Sequence, residues 1–309
     1  MSEGSTPGRP AAIGGLQLSR IGLGTAALGA DASRTGEAIR RALELGINWI
    51  DTDAIFERGE IERHVGSALA ALPSGDRPFV ALAVGFDWDG RSRQAQLRPT
   101  FEPRRLRRQL ERSLARLAIE TADLVKLHLA ATSDALFEDA WSVLLDLRQS
   151  GLVRSLGLVA PDSASLERAE RIGICDAVHV EMSLFDRRVS DGELLWRRQP
   201  TPVVIASHSF AVIGSAEAGD SLESMQRLLR IIAIRRHSNP AAVAAAWTLS
   251  WPGVAALAVS VRDADELSAV AKATEISLSA RDFSDISKLL PALGSGRGPV
   301  HPHRAVDAA

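Results

Sequence analysis

Residues 46–69 read GINWIDTDAIFERGEIERHVGSAL and combine a short apolar strand with a helical pattern. Comparable pairs follow on both sides of this segment. From IGLGTAAL at 21–28 to VAALAVSV at 254–261, short apolar runs alternate with amphipathic stretches that repeat at helical spacing. Eight such units in one chain predict a closed parallel (β/α)8 TIM barrel, whose working residues sit at the C-terminal ends of the strands.

The ends of the chain differ in pattern from this repeating middle. The sequence predicts a disordered lead-in over residues 1–12, one barrel domain over 13–293 and a flexible tail over 294–309. Within the domain, AAIGGLQLSRI is expected to form an N-terminal β-hairpin that closes the barrel floor. Extra helices are expected toward the C-terminus.

Composition narrows the class of protein. The chain has 309 residues and a formal net charge of -2, which favours neither a nucleic-acid nor an acidic-membrane partner. The single cysteine, Cys175, excludes an intrachain disulfide. Neither a long uncharged apolar stretch nor a signal pattern is present, so we expect a cytoplasmic protein acting on a small molecule. The oligomeric state is not indicated.

The 46–69 segment resembles the second strand and helix of the aldo-keto reductase superfamily. The resemblance runs from about Leu16 to Leu290 and includes the segments LGLVA, VHVEMSLFDR and VVIASHS. It is nearest to the sugar and aldose dehydrogenase branch. It implies a TIM barrel, NADP as cofactor, and a catalytic tetrad of aspartate, tyrosine, lysine and histidine at the tops of strands two to four.

Two members of that tetrad are matched and two are not. The resemblance places the aspartate at Asp51 and the histidine at His128. The tyrosine position holds Phe56, in a chain without any tyrosine, and the lysine position holds Val84. A phenyl ring cannot donate a proton, so the usual chemistry of the family does not transfer directly.

The positions that would contact the cofactor are altered as well. The residues that correspond to the family's nicotinamide contacts are Val159, Ala160, His179 and Ser207. On the adenosine side Arg262 is kept, and Arg262 and Ser260 are the expected cofactor-binding residues if binding is retained. These losses favour a protein without a cofactor, although NADP stays possible.

Asp51 and His128 are the candidates for catalysis, as an acid–base pair across the barrel mouth. The alternative is a buried structural pair. Lys126 lies two residues before His128 and faces the same side of its strand, so it is a candidate to compensate the charge of Asp51. The alternatives for Lys126 are a side chain that extends past the barrel floor or a strand register shifted by one.

The remaining candidates are expected to line the substrate pocket. Phe56, Val84 and Trp88 would form an apolar wall, and His179 and His208 would be pocket ligands or bases at strand tops. No metal site is expected, because no segment carries a zinc-ligand spacing.

Three functions follow from these residues. The leading hypothesis is an enzyme repurposed for cofactor-independent acid–base chemistry, a lyase or isomerase that dehydrates, isomerises or cyclises a carbonyl or hydroxyl compound through Asp51 and His128. The alternative is an atypical NADP-dependent carbonyl reductase or aldose dehydrogenase, in which His128 or water supplies the proton. The third is a non-catalytic binding protein on the same barrel.

Overall fold

The fold is a closed barrel surrounded by helices, seen in a computed structural model that describes residues 11–88, 96–129, 134–192, 194–196, 202–209, 220–293, 300 and 302. The strands of this part of the chain are β1 (Ala11–Ile13), β2 (Leu16–Leu18), β3 (Ile21–Gly24), β4 (Trp49–Asp51), β5 (Phe79–Val84), β6 (Phe86–Trp88), β7 (Leu97–Pro99), β8 (Ala122–His128), β9 (Val153–Val159), β10 (Ala177–Glu181), β11 (Val203–Ser209) and β12 (Val254–Ser260). Eight of them pair in the order β3-β4-β5-β8-β9-β10-β11-β12 and close on β3. The predicted (β/α)8 barrel is confirmed.

Helices cover the outside of the barrel. Those described are α1 (Ala32–Glu44), α2 (Glu60–Ala70), α3 (Pro103–Leu117), α4 (Asp134–Gln149), α5 (Ser163–Ile172), α6 (Asp220–Arg235), α7 (Pro240–Leu249), α8 (Ala264–Ala271) and α9 (Ala280–Leu289). Several of these helices begin with a side chain that accepts a backbone N–H group, as Asp162 does from Ser165 at the start of α5. The additional helix α9 is tied to α6 by Arg235, whose Nη1 donates to Asp282 Oδ1 at 3.0 Å.

The hairpin of β1 and β2 closes the N-terminal end of the barrel. Ile13 and Leu18 are buried against Trp49, Leu124 and Ile205 in a cluster inside the barrel. Ala11 and Ala12, which the sequence assigned to the lead-in, belong to β1. Because apolar side chains fill this end, the open space of the barrel lies at the opposite, C-terminal end of the strands.

Strand alternation decides which residues reach that open end. On β8, Val125 and Leu127 pack in the core between barrel and helices, so Lys126 and His128 face inward. On β5, Val84 packs in the same outer core while Ala83 pairs with Lys126 across the strands. The expectation that Val84 lines the pocket is therefore wrong by one residue, and Ala83 takes its place.

Within the described ranges, no helix is both long enough and apolar enough to cross a lipid bilayer.

Candidate active site

A cavity of about 550 Å³ opens at the C-terminal ends of the strands. Its floor is formed by side chains from β4, β5, β8, β10 and β11, and one wall carries Asp53, Phe56 and His128. This volume is in the range of pockets that enclose small ligands. The location agrees with the rule that barrel enzymes work at this end.

Four polar side chains from four strands form one connected group at the bottom of the cavity, here called the floor chain. Lys126 Nζ donates hydrogen bonds to Asp51 Oδ1 and, at 2.8 Å, to His179 Nδ1. His179 Nε2 in turn hydrogen-bonds Ser207 Oγ. The Lys126 side chain is 3% exposed, so its charge depends on the carboxylate of Asp51 for compensation.

The protonation state of His179 follows from its surroundings. Burial, and then the positive charge of Lys126, lower the pKa of His179 to about 3. The imidazole is therefore neutral near pH 7. Since Nδ1 faces an ammonium group that can only donate, the ring proton is assigned to Nε2 and is donated to Ser207 Oγ. Ser207, which lines the cavity, keeps its own hydroxyl proton for another acceptor.

A second polar pair, here called the mouth pair, lies on the cavity wall. His128 Nε2 is 2.6 Å from Asp53 Oδ2, and the His128 side chain is 19% exposed. The edge-to-face ring of Phe86, 5.2 Å from His128 between centroids, fixes the imidazole from the other side. Asp53 also accepts the backbone N–H of Ile55 through Oδ1, at 3.0 Å.

Sequence reasoning missed Asp53 as a functional candidate. The signal was present in the motif DTD, because Asp53 lies two residues after Asp51 and so points to a similar side as the chain leaves β4. It also missed Asp53 as the partner of His128, although it did offer Lys126 as the partner of Asp51. Asp51 and His128 line one cavity, but Asp51 is paired with Lys126 and His128 with Asp53. The structure brings Lys126 and Asp51 into direct contact.

Two predicted pocket residues lie elsewhere or outside the described part. Trp88 stands on β6, is absent from the cavity lining among the described residues, and has the guanidinium carbon of Arg58 5.6 Å from its ring centroid. The backbone of His208 pairs with Val259 in the barrel, but the side chain of His208 lies outside the described residues. Phe56 does line the cavity.

Some of the positions expected to contact the cofactor line the cavity, and others lie outside it. Val159 and Ala160 line the cavity as an apolar wall. Ser260 ends β12 beside Gly24, and Arg262 follows it with a side chain that is 76% exposed and ion-paired with Glu266 at 2.9 Å. Ser260 and Arg262 are outside the cavity lining in the described ranges, yet they lie at the same end of the barrel.

The chemistry of these donors fits a nicotinamide dinucleotide. The apolar wall can pack against a flat ring, the hydroxyl of Ser207 is uncommitted toward the cavity, and the exposed guanidinium of Arg262 suits a phosphate. For a metal ion the picture differs. In the part of the chain that the structure describes, no group of three or more histidine, cysteine or carboxylate side chains is placed to hold one.

Comparison with known proteins places this site in a family. The model of the aldo/keto reductase family matches residues 20–291. This chain belongs to the aldo-keto reductase family. It is 24% identical over 308 residues to the aldo-keto reductase YhdN of Bacillus subtilis, covering 89% of this chain and 91% of that protein. It is 26% identical over 287 residues to the methylglyoxal reductase YeaE of Escherichia coli, covering 90% and 93%.

A solved structure supports the same fold. The glycerol dehydrogenase of Gluconobacter oxydans superposes with a TM-score of 0.82 at 23% identity, over the whole of both chains. At that identity the likeness speaks for the barrel alone.

These relatives correct the leading functional hypothesis. The two relatives YhdN and YeaE are named as reductases, so the expectation of a cofactor-independent lyase or isomerase is wrong. The expectation that the protein works without a cofactor is wrong for the same reason. That expectation rested on the altered positions for hydride transfer, yet the cavity keeps polar groups, because Lys126 on β8 contacts Asp51 and Ser207 lines the cavity.

Proposed function

We propose that this chain is a NAD(P)-dependent oxidoreductase that interconverts a carbonyl group and an alcohol on a small molecule. The observation that carries the proposal is the buried pair of Lys126 and Asp51 directly beneath the cavity. A lysine this deep in a barrel, hydrogen-bonded to a carboxylate, places a positive charge where reduction of a carbonyl would create a negative oxygen. The names of the relatives as reductases support the same reaction class.

The bound cofactor would supply the hydride. The residues of this chain have the other tasks: to bind the substrate, to stabilise the developing charge and to exchange a proton. The floor chain presents the hydroxyl of Ser207 to the cavity, with the charge of Lys126 behind it. From the wall, His128 faces the same space and hydrogen-bonds the reacting oxygen in this proposal, while Asp53 orients its ring.

The size of the cavity sets the class of substrate. With a nicotinamide ring against Val159 and Ala160, a volume of about 550 Å³ leaves room for a small aldehyde, ketone or open-chain sugar. Phe56 provides an apolar contact at the position where the family resemblance implies a tyrosine. An atypical carbonyl reductase or aldose dehydrogenase therefore fits best.

A nucleotide titration is the first test. NADPH and NADH are added to the purified protein while tryptophan quenching and nucleotide fluorescence are recorded. We expect micromolar binding of at least one nucleotide and weaker binding by an Arg262→Ala variant. Lack of binding up to millimolar nucleotide would contradict the proposal.

A turnover assay is the second. The absorbance of the reduced nucleotide is followed with methylglyoxal and glyceraldehyde, and the reverse reaction with glycerol and aldoses. Turnover that is lost in Asp51→Asn supports the proposal. Nucleotide binding without turnover of any of these compounds would instead favour the non-catalytic binding protein.

A further inference from the structure

The cavity must contain a proton donor other than tyrosine. Reduction of a carbonyl leaves an alkoxide that has to acquire a proton, and this chain has no tyrosine anywhere. Phe56 reaches the cavity wall but has no ionisable group. Several polar side chains line the cavity, and those of the floor chain and the mouth pair are already joined by hydrogen bonds that can carry a proton.

The proton of the mouth pair does not point at the centre of the cavity. His128 Nε2 lies 2.6 Å from Asp53 Oδ2, so a proton on this nitrogen points at the carboxylate and not at the centre of the cavity. Moving it to a substrate breaks this hydrogen bond to the carboxylate. His128 is thus better placed to orient an oxygen than to lose its proton to it.

The floor chain, in contrast, ends in the hydroxyl of Ser207, whose own proton has no acceptor within the described ranges. Lys126 donates to His179 Nδ1, and His179 donates from Nε2 to Ser207 Oγ, so each hydrogen bond runs in the same direction. Ser207 Oγ has its acceptor side taken by the imidazole. Its own O–H lies at the cavity, and consecutive hydrogen bonds of this kind polarise one another.

We propose that Ser207 hands its hydroxyl proton to the reacting oxygen and is resupplied by Lys126 through His179. The proposal rests on the oxidoreductase function given above. As the O–H bond of Ser207 breaks, an O–H bond forms on the alkoxide. Ser207 Oγ takes the proton of His179 Nε2, and His179 Nδ1 takes one from the ammonium of Lys126. No electrons are transferred along the relay.

The charges of the relay balance at both ends. It begins with an ammonium beside the carboxylate of Asp51 and ends with a neutral amine beside the same carboxylate, while the alkoxide becomes a neutral alcohol. After the product leaves, a solvent proton entering at Ser207 runs the relay backwards and restores it.

The groups around His179 hold the relay in its starting state. Lys126 on β8 and Asp51 on β4 face Nδ1, Ser207 on β11 faces Nε2, and His128 adds a further repulsive charge when protonated. The lowered pKa of His179 keeps the ring neutral and therefore able to accept at Nδ1 and donate at Nε2. A protonated ring would be unable to accept from Lys126.

Nitrogen NMR tests the starting state without any turnover. The protein is labelled with 15N-histidine, and the His179 signals are assigned by their loss in His179→Asn. We expect a neutral ring with its proton on Nε2 from about pH 5 to about pH 8, as the lowered pKa implies. A proton on Nδ1, or titration of the ring near the ordinary histidine pKa of about 6.5, would overturn the relay.

Variants of Ser207 test the proton transfer itself. Ser207→Ala is expected to lower kcat by about 10²–10⁴-fold, the usual contribution of a positioned acid, with little change in the Kd of the nucleotide. Ser207→Thr retains a hydroxyl and is expected to recover most of the rate. Ser155→Ala is the matched control, because Ser155 is a buried barrel serine near Gly14 at the opposite end. Its kcat should equal that of the unaltered protein.

Each remaining outcome separates the two proposals. If the unaltered protein reduces carbonyls and Ser207→Ala does so equally fast, the relay is overturned and the oxidoreductase function stands. If Ser207→Ala weakens nucleotide binding without lowering kcat, Ser207 is a cofactor contact and the relay is again overturned. If the unaltered protein neither binds a nucleotide nor reduces a carbonyl, the function itself is overturned, and this use of Ser207 with it.

Discussion

The floor chain and the mouth pair both bring ionisable groups to one cavity, but they do so in different ways. The floor chain links four side chains from four strands, and the side chain of Lys126 within it is 3% exposed. The mouth pair joins two side chains on one wall, and His128 is 19% exposed. The lysine of the floor chain is thus almost fully buried, whereas the histidine of the mouth pair is within reach of solvent.

The floor chain shows that the same contact between a cation and a carboxylate can be built from different strands of the barrel. Ala83 stands on β5 near the position where the family resemblance implies a lysine, and its pairing partner on β8 is Lys126. The ammonium still contacts Asp51 from the neighbouring strand. What the floor requires is a cation beside a carboxylate, and more than one strand can deliver it.

Loss of the floor cation should have the largest effect. Lys126→Met leaves Asp51 without its cation and His179 without its donor, and we expect a loss of about 3–5 kcal/mol in the free energy of unfolding. Urea unfolding followed by tryptophan fluorescence measures it. Lys288→Met is the control, because Lys288 is 71% exposed and its surface pair contributes little.

A double variant sharpens this prediction. If the lost stability comes from an uncompensated carboxylate, Asp51→Asn combined with Lys126→Met should be more stable than Lys126→Met alone. Equal stability of the double and single variants would mean that packing of the lysine stem, and not its charge, holds the floor together.

The mouth pair should affect rate more than stability. Asp53→Asn removes the carboxylate that orients His128, and we expect kcat/KM to fall by about 10²-fold, which is the lower range for a misplaced catalytic group. Steady-state kinetics and thermal unfolding are measured on the same samples. A fall in melting temperature that accounts for the lost activity would place Asp53 among structural residues.

How much of this could be anticipated from the sequence depends on how far apart the residues are. The barrel followed from a regular exchange of strand and helix periods, which is a local signal. The inward direction of Lys126 followed equally locally, from its spacing of two from His128. Both patterns can be recognised without knowing which strands lie next to one another.

The partners within the site could not be read in this way. His179 on β10 contacts Lys126 on β8, 53 positions earlier in the chain, and their contact depends on β9 pairing between these two strands. The inward-facing position was assigned to Val84 instead of Ala83. Both residues are apolar, so an error of one in the strand register does not change the apolar pattern. The altered cofactor positions were interpreted as a loss of redox chemistry, because a change of residue type does not show what the new side chains contact.

The pH dependence of stability should separate the buried histidine from exposed ones. The folded pKa of His179 is about 3, below the ordinary value of about 6.5. As the pH falls below about 6.5, the unfolded state binds a proton that the folded state does not, so stability is lost progressively down to about pH 3. The slope attributable to His179 is at most about 1.4 kcal/mol per pH unit.

Urea unfolding of His179→Asn across this window measures the contribution. The variant should lose less stability than the unaltered protein between about pH 6.5 and about pH 4.5. His237→Asn serves as the control, because His237 is exposed and should leave the profile unchanged. Parallel profiles for His179→Asn and the unaltered protein would show that the floor histidine is protonated in the folded state.

The smallest expected effect concerns the apolar support of the mouth pair. Phe86 and Trp88 stand on the same short strand, but only Phe86 packs its ring against His128, whereas Trp88 lies against Arg58. Phe86→Leu should lower the free energy of unfolding by about 0.5–1.5 kcal/mol more than the loss of buried apolar area alone would. It should also raise KM by a few-fold, since His128 loses its edge-to-face partner. Trp88→Leu should leave KM unchanged, because Trp88 is absent from the cavity lining in the described ranges. If instead Trp88→Leu altered KM and Phe86→Leu did not, the wall of the cavity would extend along β6, and the mouth pair would not depend on aromatic support.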